Sequence, residues 1–479
     1  MALVQYWGCG VRHVQLLLLT VCGIVGGILI KTVEASIIMV DEDTRYNNFT
    51  LFDDVFRLKV KTWTSGQKYI LKNAPTVPRF LASLVSGLAS TGRWNLKYFL
   101  LMNFAVLSAQ SYVIPLVAKK VSFDYLLAAV LMQGFFYGMI PPTTTAILAR
   151  WTPHQEIGRT VTLVLSSRFL GHTLIYTLAS FLQASLAGWH SLFYIVGNLG
   201  LLWCVAWFTF GFQDPKGCFY LSLEERKFIF ANIQDIREER YVKGHSIPWP
   251  SIFKCLPLYG AFSTLVATSW IFEMIANNTL TEDYLYRHKG ISLSTVYNVR
   301  FLLPSAFTVA QVLVAAIVDT LIRRNDNLLS YVRKTCNSIG CWGSSMALLW
   351  LCYDCEVAIT ASFYLAFFFV NTLRFVGSQL VCFDVTRDYA GLLHGLVDFI
   401  ACIPEAYYLP IMDPMILHVK PSRLSIETHY RHIWYVAAIL TMVGNFIYII
   451  VANRERLPTP KPKKNGRMSL MEQLNRRTT

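Results

Sequence analysis

The sequence predicts an all-α membrane protein, and three observations support that prediction. Hydrophobic residues make up 54% of the 479 residues, and charged residues make up only 15%. In a soluble domain, roughly a quarter of the residues are usually charged. The mean hydropathy of +0.42 likewise indicates an apolar chain. The chain also contains a series of long apolar windows, and a membrane-spanning helix needs about 20 apolar residues. These features predict a polytopic helical membrane protein.

Twelve apolar windows follow one another, the second being the weakest. They lie near 14–40, 70–90, 97–118, 124–149, 160–184, 189–212, 257–280, 297–322, 335–352, 357–377, 389–411 and 433–452. The first lacks a small-residue cleavage site and is longer than a signal peptide, so we interpret it as a span. With both termini in the cytosol, the inner segments carry the excess of Lys and Arg. The net charge of +14 then reflects orientation and contact with anionic lipid, and we expect no nucleic-acid partner.

The windows divide the chain into two sets of six. We predict an N-terminal half at 1–212, a hydrophilic linker at 213–256, a C-terminal half at 257–452 and a basic cytosolic tail at 453–479. In the linker, Ser222 and Glu225 have the spacing of a capping box. This spacing predicts a short amphipathic helix on the inner face.

The first span carries Lys31 and Glu34, three residues apart on one helical face. Ionisable residues at membrane depth are costly and usually face a cavity or a partner. Two interpretations are open, a local ion pair or a site for substrate and coupling ion. The polar loop that follows contains the sequon Asn48-Phe49-Thr50, which predicts an outward-facing N-glycan.

The second span begins with a crowd of prolines and basic residues, among them Lys72, Pro75, Pro78 and Arg79. Proline removes a backbone donor and breaks a helix interior. Either this helix is short and distorted, or the chemistry of a site has been rebuilt here.

The fourth span combines glycines with a Pro-Pro pair. Gly134 and Gly138 share a face on which another backbone can pack closely. Pro141 and Pro142 interrupt the helical hydrogen bonds, which a membrane helix tolerates only where protein or a water-filled cavity satisfies the freed carbonyls.

The stretch resembles the fourth helix of solute carrier family 17, the anion:cation symporters, within the major facilitator superfamily. The resemblance rests on Gln133-Gly134, Gly138, Pro142, Arg150-Trp151, Pro153 and Glu156. That family includes phosphate cotransporters, sialin and vesicular glutamate transporters. Where it has charged residues in helix four, this chain has Val130, Tyr137 and Thr145, and the family's arginine in helix seven falls on Thr268.

The fifth span places Arg168 and His172 four residues apart on one face. A buried arginine stays charged and presents a planar fork that suits carboxylate or phosphate. We expect Arg168 to supply the substrate charge that helix four lacks, with an internal ion pair as the alternative. In the seventh span, Glu273 is either a proton-carrying carboxylate or a residue at the outer rim that reaches water.

The loop after the eighth span resembles the superfamily's loop signature. Asp319 and Arg323 stand four apart at a helix end, followed by Arg324 and Arg333. The acid can cap a facing helix N-terminus, and the arginines can hold the inner surface. We expect these residues to latch one gating state.

The turn Asp384-Val-Thr-Arg387-Asp388-Tyr389-Ala390-Gly391 resembles the family's inner turn into helix eleven. That helix carries Asp398 and Glu405, seven residues apart with a proline between them, a predicted proton or cation route. Cys352 and Cys355 form a lone CxxC in a short outer loop, which is weak support for a metal or redox site.

The resemblance implies a major facilitator fold with twelve transmembrane helices in two six-helix halves that work by alternating access. We therefore expect a secondary active transporter of a small organic anion or phosphate, coupled to H⁺ or Na⁺. In this interpretation Lys31 and Arg168 attract the anion, and Glu34, Glu273, Asp398 and Glu405 carry the coupling ion. His172 is a further predicted residue of the substrate and ion site.

Two other functions are open. The chain could keep the fold without transport and act as a binding or regulatory membrane protein, because helices four and seven have lost charge. A membrane enzyme has no support from a metal cluster, nucleophile constellation or phosphate loop in the sequence. We expect no cofactor besides the coupling ion, a monomer, and a plasma, lysosomal or vesicular membrane.

Overall fold

The computed structural model describes residues 10–42, 64–92, 94–120, 123–153, 156–183, 188–232, 247–276, 293–324, 328–353, 356–401 and 423–452. Within these ranges the regular structure is helical, with no strand. Eight helical segments of the described residues are long and apolar enough to cross a membrane, two of which, Phe123–Trp151 and Val357–Val385, each include adjacent helices. Two shorter apolar stretches are Leu256–Ala267 and Ala390–Ala401. The helical membrane class is therefore confirmed, whereas the count of twelve spans and the boundaries of the halves stay predictions.

The helices of the first half follow the predicted windows closely. They are α1 Val11–Glu42, α2 Ser65–Asn73, α3 Thr76–Thr91, α4 Leu96–Lys120, α5 Phe123–Gly138, α6 Ile140–Trp151, α7 Ile157–Gln183 and α8 Gly188–Phe210. The linker contains α9 Leu223–Asn232.

The second half begins with a short helix and ends with a long one. Its helices are α10 Trp249–Phe253, α11 Leu256–Ala276, α12 Leu293–Arg324, α13 Leu329–Leu351, α14 Val357–Arg374, α15 Val381–Val385, α16 Ala390–Ala401 and α17 Arg423–Val451. One turn of π-helix, Phe375–Gln379, connects α14 to α15.

The second predicted span is broken into two helices. Thr64 begins α2 with a capping box, in which the Thr64 hydroxyl and the Gln67 side chain bind each other's backbone N–H. This helix ends at Asn73, and α3 begins at Thr76 directly after Pro75, because proline cannot continue the hydrogen-bond ladder. The distorted helix, one of the two alternatives for this segment, is therefore observed, and the other, a rebuilt site, stays a prediction.

The predicted close approach at Gly134 and Gly138 is confirmed, and its partner is the broken second span. A Cβ at Gly134 would lie 2.6 Å from the Pro75 Cα, and one at Gly138 would lie 2.8 Å from the Arg79 Cα. Because these contacts are backbone contacts, no side-chain movement could relieve them. The glycine face therefore sets the position of Arg79.

The linker helix α9 packs against the start of α1. The Ser222 hydroxyl accepts the Glu225 N–H at 3.2 Å, as the capping motif predicts. The Glu225 carboxylate accepts the backbone N–H groups of Val11 at 3.1 Å and Arg12 at 3.0 Å. A carboxylate at a helix N-terminus satisfies unpaired donors and complements the helix dipole, so the linker is tied to the first helix.

The two halves meet at the end that is predicted to face the cytosol. Asp319 on α12 binds the N-terminus of α7, and Arg387 Nη1 donates to the Thr152 carbonyl at 3.0 Å. The Ser83 hydroxyl on α3 donates to the Gly395 carbonyl on α16 at 3.3 Å. The first two contacts hold the inner ends of the two halves together, and the third lies next to His394 on α16.

Candidate functional site

Lys31 and Glu34 form an ion pair within α1. The Lys31 Nζ lies 2.8 Å from the Glu34 Oε2, and the two side chains are only 13% and 7% exposed. The local ion pair, one of the two interpretations of this sequence pattern, is therefore present. It does not exclude a role at a site, because the pair lies beside charges from another helix.

Glycines bring α1 into backbone contact with α7. A Cβ at Gly171 would collide with the Ile24 carbonyl, and one at Gly27 would collide with the Arg168 carbonyl. Only residues without a Cβ allow this approach. As a result, Lys31 and Glu34 come within electrostatic range of the His172 ring.

His172 stands among cations. Arg168, Lys31 and Arg79 all lie within electrostatic range of its ring. Its Nε2 atom is buried and has no hydrogen-bond partner among the residues that the structure describes. An unpaired buried polar atom costs free energy, so a ligand that pairs with it would recover that cost.

Arg168 is partly buried on the same face of α7 as His172. In the described ranges, no carboxylate lies within ion-pair distance of its guanidinium. The alternative interpretation, an internal ion pair, is therefore not observed in that part of the chain. Arg168 lies within electrostatic range of Arg374 and Asp398, both in the second half.

His394 connects the second half to the first. Its Nδ1 lies 2.7 Å from the Thr145 Oγ1 on α6, and its Nε2 lies 3.3 Å from the Asp398 Oδ2 one turn along α16. Arg79 and Arg168 are both within electrostatic range of Asp398. Thr145 occupies a position at which the family that the sequence resembles has a charged residue. In this chain, the His394 imidazole contacts this position from the other half.

We call the residues that these interactions join the central charge cluster. It consists of Lys31, Glu34, Arg79, Arg168, His172, Arg374, His394 and Asp398. With neutral histidines, four cations face two carboxylates. This excess of positive charge can hold a small anion, for which the arginine forks supply paired donors.

Three members of the cluster were not predicted as site residues. Arg79 and Arg374 are conspicuous cations in apolar windows, and His394 stands four residues before Asp398. That spacing is a usable signal, because residues four apart on a helix face each other. The partner of His394, however, is 249 residues away in the sequence.

Besides the gating residue Arg324, three predicted residues cannot be placed by their side chains. Asn48 and Glu405 lie outside the described residues. Glu273 belongs to α11, but its side chain lies outside what the structure describes. Their predicted roles stay predictions.

The predicted gating residues lie at the inner ends of the helices. Asp319 accepts the backbone N–H groups of Gly158 at 3.0 Å and Arg159 at 2.8 Å, from the opposite half. Arg333 binds Asp384 with 2.9 Å between Nε and Oδ2. Arg323 is exposed, and the Arg324 side chain is outside the described set. This geometry suits a latch, and its gating role stays a prediction.

Comparison with known proteins identifies similar sequences. The model of the Major Facilitator Superfamily matches residues 59–406. A probable small intestine urate exporter from Mus musculus is 26% identical over 83% of this chain and 78% of its own length. A putative inorganic phosphate cotransporter from Drosophila ananassae is 26% identical, over 79% of this chain and 76% of its own. These relatives confirm the resemblance to solute carrier family 17.

Vesicular glutamate transporter 1 from Bos taurus is 23% identical over 72% of this chain, and the match spans 60% of that transporter. Among solved structures, the proton:xylose symporter XylE has a TM-score of 0.66 at 12% identity, covering 93% of this chain and 97% of its own. The human organic anion transporter MFSD10 has a TM-score of 0.54 at 14% identity, with 92% and 98% covered. At these identities the structural likeness shows the fold.

Proposed function

Because this chain belongs to the major facilitator superfamily, we propose that it is a secondary active transporter of a small organic anion or inorganic phosphate. It is a multi-pass membrane transporter and not an enzyme. In the proposal, transport uses a gradient of H⁺ or Na⁺ and proceeds by alternating access between the two halves.

The observation that carries the proposal is the convergence of charges from both halves around Arg168. Lys31 comes from α1, Arg168 and His172 from α7, and Asp398 from α16. Charges that were scattered and individually paired would favour a protein without transport. A shared cluster between the halves is where an alternating-access transporter binds its substrate.

The names of the relatives support an anionic substrate. They are described as a urate exporter, an inorganic phosphate cotransporter and vesicular glutamate transporters. All of these substrates carry negative charge, which suits a cluster with more cations than carboxylates. The same names support a plasma or vesicular membrane as the place of action.

Roles within the cluster follow from charge. Arg168 and Lys31 attract the anion, and the Nε2 of His172, which has no hydrogen-bond partner in the described ranges, offers it a further polar contact. Glu34 and Asp398, with Glu273 and Glu405, are the proposed carboxylates for the coupling ion. Asn48 is the proposed glycosylation site of the outer loop.

The test is uptake by purified protein in liposomes. Labelled phosphate, glutamate, urate and sialic acid are offered under an imposed pH or Na⁺ gradient, and gradient-dependent accumulation of any one of them supports coupled anion transport. Absence of accumulation, with binding still measurable, would favour the alternative of a binding or regulatory membrane protein.

Arg168→Gln then tests the site. A hydrogen bond to a charged group contributes roughly 1.5–3 kcal/mol, so we expect the KM to rise about ten- to hundredfold. Arg431→Gln, which removes an exposed charge from α17, is the matched control. An unchanged KM in Arg168→Gln would remove this residue from the site.

A further inference from the structure

The hydrogen bond between Thr145 and His394 joins the two halves inside the central charge cluster. It connects α6 to α16 at 2.7 Å. The other ring nitrogen of His394 faces the Asp398 carboxylate at 3.3 Å. His394 is 8% exposed, whereas Asp398 is 26% exposed. The ring is thus held on both sides, and its carboxylate partner remains accessible.

This arrangement allows the ring to gain a proton without losing either contact. In the neutral ring, Nδ1 accepts from the Thr145 hydroxyl while the Nε2–H donates to Asp398. In the protonated ring, Nδ1–H donates to the Thr145 oxygen, because a hydroxyl both donates and accepts. Histidine is the side chain that ordinarily changes charge between about pH 5 and 8.

The groups around the ring make its charge matter. Asp398 lies on the same helix as His394. Arg79 on α3 and Arg168 on α7 are within electrostatic range of Asp398, and so is Cys382 on α15. While His394 is neutral, the negative charge of Asp398 interacts mainly with the positive charges of Arg79 and Arg168. Once His394 is protonated, the adjacent imidazolium compensates Asp398.

We propose that His394, held between Thr145 and Asp398, is the binding site of the coupling proton. Protonation releases Arg79 and Arg168 from the field of Asp398, so their charge becomes available to the substrate anion. The inference rests on the proposed function and deepens it, since it makes the coupling ion H⁺ and places the proton on His394, with Asp398 as its counter-charge, instead of on a carboxylate.

The coupling follows from linkage. A proton that raises the affinity for the anion is itself bound more tightly when the anion is present. The proton and the anion are therefore taken up together. Sodium sites in transporters are built from oxygen ligands, and here the imidazole occupies the space between the Thr145 and Asp398 oxygens.

The experiment compares wild type, His394→Gln and Ser83→Ala in liposomes, with the same four labelled anions. Ser83→Ala is the matched control, because it removes another hydrogen bond between α16 and the first half without touching a titratable group. We expect His394→Gln to lose at least about tenfold in accumulation driven by a pH gradient. Exchange of labelled for unlabelled anion persists in this variant and no longer varies with pH. Ser83→Ala keeps both the accumulation and its pH dependence.

Two results would overturn the proposal. The first is pH-driven accumulation by His394→Gln at the wild-type level, and the second is wild-type accumulation driven by Na⁺ alone. If His394→Gln does not elute as a monodisperse protein, Asp398→Asn replaces it. Without this carboxylate, Arg79 and Arg168 are available to the anion whether or not His394 is protonated, so anion exchange should vary far less with pH than in wild type, and an unchanged pH profile contradicts the inference.

A measurement without transport separates this inference from the proposed function. Purified protein with ¹⁵N-labelled histidine should give an imidazole signal that changes as the ring gains a proton and that is missing from His394→Gln. Absence of that titration overturns the proton site. If the signal titrates but wild type neither accumulates nor exchanges any anion, the proton site stands and the proposed transport fails.

Discussion

Asp319 and Gly158 lie on opposite halves of the molecule and are joined by a hydrogen bond of 3.0 Å from the Gly158 N–H to the carboxylate. The second carboxylate oxygen accepts the Arg159 N–H at 2.8 Å. The end of α12 thereby caps the beginning of α7. A Cβ at Gly158 would lie 2.8 Å from the Asp319 Cγ, so the glycine is needed for the contact.

Asp319→Asn should therefore loosen the inner contact between the halves. The amide keeps the shape but loses the charge that strengthens these hydrogen bonds. A loss of roughly 1.5 kcal/mol shifts the ratio of closed to open inner ends about tenfold. Distances between spin labels at the inner ends of α7 and α12 measure that ratio. Thr320 is an exposed neighbour whose hydroxyl donates to a carbonyl of its own helix, so Thr320→Ala should leave the ratio of closed to open inner ends unchanged. Equal ratios in Asp319→Asn and wild type would contradict the latch.

The ion pair of α1 predicts a double-mutant result. Removing one partner of a buried ion pair leaves an uncompensated charge and costs roughly 3–5 kcal/mol, whereas replacing both partners by apolar residues is often neutral. Lys31→Met should lower the thermal unfolding temperature, and Lys31→Met with Glu34→Leu should restore most of it.

The same pair of variants separates structure from transport. If Lys31 and Glu34 serve the site, the restored double variant is stable but takes up little anion. Wild-type uptake by the double variant would assign the pair to structure alone. A single variant as stable as wild type would contradict the buried ion pair itself.

Gly171 should resist even alanine. The added Cβ would meet the Ile24 carbonyl and the Gly27 Cα, which are backbone atoms of α1 that cannot rotate away. Overpacking of this kind costs roughly 1–3 kcal/mol and would separate Lys31 from His172. We expect Gly171→Ala to lower both thermal stability and uptake.

Gly66→Ala is the control for this substitution. Among the described residues, a Cβ there meets the Thr64 hydroxyl alone, at 3.9 Å, so stability should stay the same or increase slightly. If Gly171→Ala behaves like Gly66→Ala, α1 and α7 are not in the contact described.

Glu225→Gln should free the beginning of α1 from the linker. The carboxylate binds two backbone N–H groups there, and loss of a capping interaction costs about 1 kcal/mol. Hydrogen exchange at Val11 and Arg12 should become several times faster. Glu224 is an exposed neighbour on the same helix, so Glu224→Gln should leave hydrogen exchange at Val11 and Arg12 as in wild type. A similar effect of both variants would show that charge in general, rather than this contact, protects α1.

The sequence predicts much of this molecule through local rules. Apolar windows predict the helices because the membrane requires about 20 apolar residues in a row. The prolines and basic residues of the second span leave a distorted helix as one of two alternatives, and the four-residue spacing of Arg168 and His172 places both on one face. The motif around Asp319 predicts a cap on a facing helix, which lies at Gly158 and Arg159.

The site itself depends on contacts that no local pattern specifies. Thr145 and His394 are 249 residues apart, and no sequence pattern around either residue indicates that the other is its partner. Arg79 belongs to the cluster because the glycine at position 138 allows the Arg79 backbone to approach closely. Arg374 belongs to it because Arg374 lies within electrostatic range of Arg168. The sequence alone determined the membrane class, the helices and which charges share a face, since these follow from neighbouring residues. Only the tertiary structure decided which charges meet, because electrostatic interactions depend on distances that are set when glycine faces of distant helices pack together.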